Sequence, residues 1–147
     1  MPNNVEDFLS TSEEQEIVEA IRVAELNTSG EIRVHIEQTC KGNGITTRAL
    51  DLFHTLKMDN TKLQNGVLIY VAIDDKAFAI YGDKGINDKV ESTFWDSTKN
   101  VMQMRFKQGN FKKGLIEGIL KSGEELKRYF PYSDTDTNEL TNEISKG

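Results

Sequence analysis

Cysteine is nearly missing from this sequence, which has Cys40 alone among its 147 residues. A single thiol excludes an intramolecular disulfide and any cysteine-rich metal site. Long apolar runs are missing as well. The longest, from Val67 to Ile73, has the length of a strand and is far shorter than the ~18 residues of a membrane-spanning helix. The N-terminus has neither the basic nor the apolar stretch of a signal peptide, so we expect a cytoplasmic protein without membrane contact.

The familiar catalytic motifs are also absent. The sequence contains no Gly-x-Ser-x-Gly nucleophile turn, no P-loop and no paired cysteine and histidine. Its two histidines, His35 and His54, lack the spacing of metal ligands, and we expect both at ordinary surface or half-buried positions. Motifs alone therefore name no catalytic residue.

What the sequence does contain is the composition of a globular protein, with 37% hydrophobic and 29% charged residues. Aspartate and glutamate outnumber lysine and arginine by 24 to 18, which gives a net charge of -6. The acidic excess lies in residues 1–31 and 134–147, whereas the body between them is mildly basic. The acidic total argues against a nucleic-acid partner. We expect a single domain over residues 1–133, followed by a flexible, acidic polar tail over 134–147.

Hydrophobic periodicity divides the domain into helices and strands. Thr11 and Glu14 have the spacing of a capping box, which places the start of the first helix there. Alternating apolar residues predict a half-buried strand after Gly30, and the continuous apolar run after Asn65 predicts a central strand. The predicted order is a helix to about residue 27, a strand over 32–38, a helix over 45–57, a strand over 66–73, a hairpin strand over 77–81, a helix that Asn87 or Asp88 caps and that ends near 106, and a last helix that ends before Pro131.

This order predicts the fold class. A strand, a helix and a second strand form a right-handed parallel crossover, and the hairpin adds an antiparallel neighbour. The expected architecture is α/β: a three-layer α/β/α sandwich with a small mixed sheet, built on a βαβ unit plus an antiparallel hairpin strand. No heptad pattern indicates a coiled coil, and we expect a monomer.

The predicted topology gathers acidic residues at one end of the sheet. Parallel strands 32–38 and 66–73 begin side by side, and the antiparallel strand 77–81 finishes at the same end. Three loops then bring together Glu31, Asp83 and Asp88, with Asn65 and Asn87 nearby. Carboxylate and amide oxygens are the ligands that a hard divalent cation such as Ca²⁺ or Mg²⁺ prefers. The alternative is that Asp83 is only a turn residue, Asp88 only a helix cap and Glu31 half of an ion pair where its strand begins.

Three segments carry a family resemblance. They are Thr28-Ser29-Gly30-Glu31-Ile32-Arg33-Val34, then Asn65-Gly66-Val67-Leu68-Ile69-Tyr70-Val71, then Tyr81-Gly82-Asp83-Lys84-Gly85-Ile86-Asn87-Asp88. In order and spacing they resemble the signatures of the TPM domain family, over about residues 8–130. The family includes thylakoid-lumen proteins of photosystem II repair. The chain shows no signal peptide, membrane helix or glycine-rich tail and so resembles the stand-alone, soluble bacterial type.

The resemblance implies an α/β/α sandwich with an acidic pocket for divalent cations, with Glu31, Asp83 and Asp88 as ligands and Asn65 in support. For plant members it also implies acid-phosphatase activity. The leading hypothesis is therefore a domain that binds calcium or magnesium in this pocket. One alternative is a metal-assisted phosphatase that acts on phosphate monoesters.

A second alternative is a non-catalytic module that binds a protein partner. Its basis is a run of basic residues without an intervening acid: Lys99, Arg105, Lys107, Lys112 and Lys113. Such a run is typical of a solvated face, but it can also bind an anionic partner or the acidic tail.

Overall fold

The computed structural model describes residues 8–40, 44–132 and 140–146. Described in chain order, its helices and strands are α1 (Thr11–Glu25), β1 (Glu31–Glu37), α2 (Ile45–Thr55), β2 (Gly66–Ala72), β3 (Ala77–Gly82), α3 (Lys84–Asn87), α4 (Asp96–Lys107), α5 (Phe111–Lys127) and β4 (Ser145–Lys146). In these ranges, no helix is both long and apolar enough to cross a membrane.

The strands form one mixed sheet in the order β3-β2-β1-β4. β1 and β2 are parallel, with Glu31 opposite Gly66 and Glu37 opposite Ala72, and α2 makes the crossover between them. β3 runs antiparallel to β2, with Gly82 opposite Val67. The predicted βαβ unit and hairpin strand are therefore confirmed.

Helices cover both faces of the sheet. One face carries alternate apolar residues of β1, including Ile32 and Val34, which pack with residues of α1, α4 and α5 in the larger core. The other face carries Leu68 and Tyr70 of β2 beneath α2. The three-layer α/β/α arrangement is confirmed, and β2 is buried along its whole length because it lies between two helical layers.

Glycines let the helices of the larger core approach closely. A Cβ atom at Gly123 of α5 would lie 2.9 Å from the Ala24 Cβ of α1. A Cβ at Gly114 would lie 2.5 Å from the Phe106 ring of α4. Glycine lowers helix propensity by ~1 kcal/mol relative to alanine, and here that cost is offset by tighter packing between helices.

Two helix boundaries differ from the predictions. The capping box of α1 uses Ser10 and Glu13, one residue before the predicted pair. The predicted helix from Asn87 or Asp88 to about 106 is instead the single turn α3, capped by Asp83, and the separate helix α4. The chain turns between them because Phe94 and Trp95, with ring centroids 4.7 Å apart, both pack against the larger core.

The structure describes part of the acidic tail. Residues 134–139 lie outside the described ranges, but residues 140–146 pack on the domain. Leu140 is buried in the core beneath α2, and β4 pairs in parallel with β1. Lys146 Nζ also lies 2.8 Å from Glu14 Oε2 of α1. The segment folds because β1 leaves an open edge that a strand from the C-terminal end can occupy.

Candidate functional site

The ends of three strands meet around Gly66, at the first residue of β2. Glu31 is opposite Gly66 in the parallel pair, and its amide donates to Asn65 O at 3.3 Å. On the other side, the Asp83 amide donates to Gly66 O at 2.9 Å. The backbones of Glu31 and Asp83, two of the predicted ligand residues, therefore flank Gly66 at the same end of the sheet.

Asp83 combines a structural role with an unsatisfied oxygen. It is the N-cap of α3, and its Oδ1 accepts a hydrogen bond of 2.7 Å from the Lys84 amide. The residue is only 8% exposed, and among the described residues no group donates to its Oδ2. A buried carboxylate oxygen without a donor destabilises the folded state. Such an oxygen is suited to accept a cation.

Backbone carbonyl groups pack against the helical turn that Asp83 caps. Gln64 has a positive φ of 51° and accepts a 2.8 Å hydrogen bond from the Gly85 amide. A Cβ atom at Gly85 would lie 2.5 Å from Gln64 O and would also collide with Leu63 O. Only glycine at this position allows the loop carbonyls and α3 to approach so closely.

The two asparagines hold the surrounding loops. Asn65 is buried, and its Nδ2 donates to Ser29 Oγ at 3.4 Å, which joins the loops that lead into β1 and β2. Asn87 is exposed, and its Nδ2 donates to Gly82 O at 3.0 Å. Because both side chains use their amide nitrogen in these bonds, the amide oxygen of each is the atom left to bind a cation.

Glu31 is engaged by the C-terminal segment. Its carboxylate is buried, and Oε1 accepts a hydrogen bond of 2.5 Å from the Leu140 amide. Nearby, burial and, to a smaller extent, the charge of Glu31 raise the pKa of Glu25 to about 7, against the effect of a hydrogen bond from the Ile32 amide. Two acidic side chains thus lie close together beside the start of β1.

Asp88 is paired with a lysine of the same helical turn. It is the C-cap of α3, it is exposed, and its Oδ2 accepts a 3.1 Å hydrogen bond from Lys84 Nζ. Across residues 8–40, 44–132 and 140–146, no three side chains of Asp, Glu, His or Cys form a group that could hold a metal ion. A cation at this end would therefore depend on one or two carboxylates together with amide and backbone oxygens.

A buried polar network lies on the face of the sheet that α2 covers. The sequence alone does not reveal it. Glu37 accepts hydrogen bonds from Arg48 Nε at 3.0 Å and from the Tyr70 hydroxyl at 2.7 Å, and Arg48 Nη2 also bonds to it. His35 Nε2 lies 3.4 Å from Glu37 Oε2, and His35 Nδ1 lies 2.9 Å from Ser145 Oγ. The expected surface or half-buried position of His35 was therefore wrong, because α2 and β4 cover this side of β1.

The network shifts the pKa values of its members. Burial raises the pKa of Glu37, but the bonds from Arg48 and Tyr70 outweigh burial and hold the pKa at about 2. Burial lowers the pKa of His35, and the neighbouring Glu37 only partly opposes this. Burial and the bond to Glu37 raise the pKa of the Tyr70 hydroxyl. Tyr70 is the one sequence signal for this network, since it is a hydroxyl inside an otherwise apolar central strand.

A model of the TPM domain family matches residues 3–125. Among solved structures, the fold is similar to that of the BA42 protein from the psychrophilic bacterium Bizionia argentinensis, with a TM-score of 0.92 and 62% sequence identity. That match covers 97% of this chain and 98% of BA42. A search of curated proteins finds no match.

Two more distant structures share the fold alone. The N-terminal domain of a protein from P. gingivalis has a TM-score of 0.70 at 20% identity, over 86% of this chain and 81% of that one. The N-terminal domain of the cg2496 protein from Corynebacterium glutamicum has a TM-score of 0.63 at 13% identity, over 96% and 90% of the two chains.

Proposed function

This chain belongs to the TPM domain family, and from that premise we propose that it binds a divalent cation, Mg²⁺ or Ca²⁺, at the Asp83 end of the sheet. The observation that carries the proposal is the Asp83 carboxylate, which is more than nine-tenths buried and has no donor to Oδ2 among the described residues. A bound cation would supply the missing positive charge and hold the turn over residues 82–88.

The surrounding groups fit a cation that needs few carboxylates. Asn65 and Asn87 can each supply an amide oxygen, and the carbonyl groups of Leu63 and Gln64 lie against α3. Mg²⁺ is commonly held by one or two carboxylates and several water molecules, and Ca²⁺ also accepts amide and carbonyl oxygens. So few carboxylates favour weak binding, with a Kd on the order of 0.1–1 mM.

The other two predicted carboxylates have competing partners. Glu31 would have to share its carboxylate with the Leu140 amide, and Asp88 would have to leave Lys84. We therefore assign Asp83 the main role, with Asn65 and Asn87 in support and Glu31 across Gly66 as a second carboxylate.

The test is a titration of the protein with MgCl₂ and with CaCl₂, followed by backbone amide chemical shifts. We expect saturable shifts at residues 64–66 and 82–88. Asp83→Asn should abolish them while the fold is kept, because asparagine is as good an N-cap as aspartate. Asp59→Asn, which removes an exposed carboxylate beside His54, is the matched control and should bind as the wild type does. The absence of saturable shifts, or identical binding by Asp83→Asn, would reject the proposal.

Two further variants rank the remaining carboxylates. Glu31→Gln should weaken binding several-fold if both carboxylates flanking Gly66 contribute. Asp88→Asn should leave binding unchanged, since its carboxylate is exposed and paired with Lys84. A large loss in Asp88→Asn would instead support the full ligand set predicted from the sequence.

Phosphatase activity is the second candidate, because the matched family model bears the name of a phosphatase. A cation beside Asp83 could polarise a phosphoryl oxygen and orient a water molecule. Hydrolysis of p-nitrophenyl phosphate that requires the cation and is lost in Asp83→Asn would support it. Cation binding without turnover would retain the first proposal and reject the second.

A further inference from the structure

β3 is an outer strand of the sheet, and no described strand pairs with the edge that faces away from β2. Asp83 and Gly66 are hydrogen-bonded across β2 and β3. In an antiparallel pair, bonded and non-bonded residues alternate, so Ala79 and Tyr81 direct their backbone groups toward β2. Phe78 and Ile80 consequently direct their N–H and C=O groups outward. In the order β3-β2-β1-β4, no described strand lies beyond β3.

This edge lacks the features that usually prevent strand pairing. Proteins blunt an exposed edge with charged side chains, proline or a bulge. The six residues of β3, AFAIYG, contain no charge and no proline, and their register with β2 is continuous. The strand therefore offers a regular, apolar template for another extended segment.

An open groove of about 1120 Å³ runs along this edge. On one face of the sheet it is lined by a row of aromatic rings: Phe78 and Phe106 have centroids 5.1 Å apart, Phe106 and Phe111 5.6 Å, and Phe111 and Phe8 4.8 Å. Thr46 and Ala49 of α2 line it on the other face. Because successive side chains of an added strand point to opposite faces, an extended peptide would place alternate residues against each wall.

The charge of the groove indicates the chemistry of its occupant. Lys76, Lys99 and Lys107 line it and are exposed. Asp74 is the acidic residue in the lining, and its Oδ1 already accepts a 2.6 Å hydrogen bond from Gln38. The groove is thus positive, although the protein as a whole has a net charge of -6. Acidic segments are attracted to it and basic segments are repelled.

We propose that the free edge of β3 binds an extended acidic peptide segment of a partner protein by strand addition. Main-chain hydrogen bonds to Phe78 and Ile80 would give affinity, the aromatic row would hold apolar side chains, and the three lysines would select carboxylates. A second copy of this chain fits less well, because pairing β3 with β3 would bring two sets of the same three lysines together. The surface is separate from the Asp83 site, which follows the opposite end of β3.

The test uses synthetic peptides and the intact protein. The main probe is a fluorescent hexapeptide, Glu-Glu-Val-Val-Glu-Glu, which matches the length of β3 and places both residue types on each face of the extended strand. A lysine–valine hexapeptide tests the charge. A glutamate–valine hexapeptide with N-methyl groups along both edges tests main-chain pairing without any change in the protein. Binding is measured by fluorescence anisotropy, and pairing is measured by hydrogen–deuterium exchange of individual amides.

We expect the glutamate–valine peptide to bind saturably and to slow exchange at Phe78 and Ile80 at least about ten-fold. Exchange at Ala79 and Tyr81 should already be slow, because their amides bond to β2. The N-methylated peptide should lose most of the affinity. The double variant Lys99→Glu and Lys107→Glu should weaken binding about ten-fold, whereas Lys127→Glu, at the far end of α5, should not.

Three results would overturn the proposal. One is equal binding of the acidic and basic peptides. Another is peptide binding without protection of Phe78 and Ile80. The third is protection of these amides by the protein alone, increasing with concentration together with a dimer in sedimentation experiments, which would make a second copy the occupant.

Discussion

The two carboxylate oxygens of Asp83 have different environments, and this difference is the basis of the proposed cation site. Oδ1 caps α3 through the Lys84 amide, while Oδ2 is buried without a donor among the described residues. Glu37 is also buried, but Arg48 and Tyr70 donate to it. The Glu37 carboxylate thus has donors within the protein, whereas Asp83 Oδ2 has none among the described residues.

At the scale of single residues, Tyr70→Phe tests the network around Glu37. The substitution removes the hydroxyl that donates to Glu37 Oε1 and leaves a buried charge with one donor fewer. We expect the free energy of unfolding to fall by about 1–3 kcal/mol, measured by urea denaturation. Tyr132→Phe, which changes an exposed tyrosine, is the control and should have almost no effect. Equal stability of Tyr70→Phe and wild type would show that the hydrogen bond contributes little.

His35 gives a pH-dependent expectation. Burial holds its pKa below the ordinary 6.5, so the unfolded chain binds the proton more tightly than the folded one. The stability associated with neutral His35 is present above pH 6.5 and is lost as the pH falls through and below that value. We expect the stability difference between wild type and His35→Gln to become less favourable to wild type between pH 7.5 and pH 5.5. A constant difference across that range would contradict the assigned shift.

At the scale of elements, the turn α3 depends on its contact with the loop before β2. Four residues cannot form a stable helix by themselves, and α3 is held by the Asp83 cap and by the bond from the Gly85 amide to Gln64 O. The same contact sets the position of Asp83. Loop and helical turn therefore form one structural unit at the candidate site.

Gly85→Ala tests this unit. The new Cβ atom would lie 2.5 Å from Gln64 O, so the loop or α3 must move. We expect a loss of about 1–3 kcal/mol in unfolding free energy and weaker cation binding, measured by thermal unfolding and by the chemical-shift titration. Asp59→Asn, an exposed change outside this turn, is the control. Wild-type cation affinity in Gly85→Ala would show that cation binding does not depend on the loop carbonyl groups.

At the scale of the whole molecule, the C-terminal segment connects distant parts of the chain. Leu140 packs over Gly66 and donates to Glu31, β4 extends the sheet beside β1, and Lys146 pairs with Glu14 of α1. The segment also brings Ser145 to His35. It therefore covers both the candidate cation site and the buried network.

Leu140→Ala tests how much this closure contributes. Removing a buried leucine side chain that is 9% exposed should lower the unfolding free energy by about 2–3 kcal/mol. We also expect faster amide exchange in β4 and at the start of β1. Leu63→Ala, which truncates an exposed leucine, is the control and should cost less than about 0.5 kcal/mol. Unchanged exchange in β4 would show that the segment is held by contacts other than Leu140.

Local patterns were sufficient for most of the elements. Alternation of apolar residues in β1, the continuous apolar run of β2 and the short connection to β3 gave the strands and their order. Because β1 and β2 run parallel and β3 runs antiparallel to them, the first residues of β1 and β2 and the last residue of β3 lie at one end of the sheet. Glu31 and Asp83 are at that end. These features follow from residues that are near one another in sequence, together with the handedness of the crossover.

Contacts between segments that are distant in sequence decided the features that local patterns did not predict. The sequence by itself determined the family, the three-layer sandwich and the end of the sheet where acidic residues meet, because periodicity and turn residues report local conformation. Only the tertiary structure decided that Asp83 Oδ2 has no donor among the described residues, that Leu140 bonds to Glu31, that His35 and Glu37 are buried, and that Asp88 is exposed and paired with Lys84. These depend on which distant segment covers each polar group, and burial by a distant segment leaves no periodic signal in the sequence.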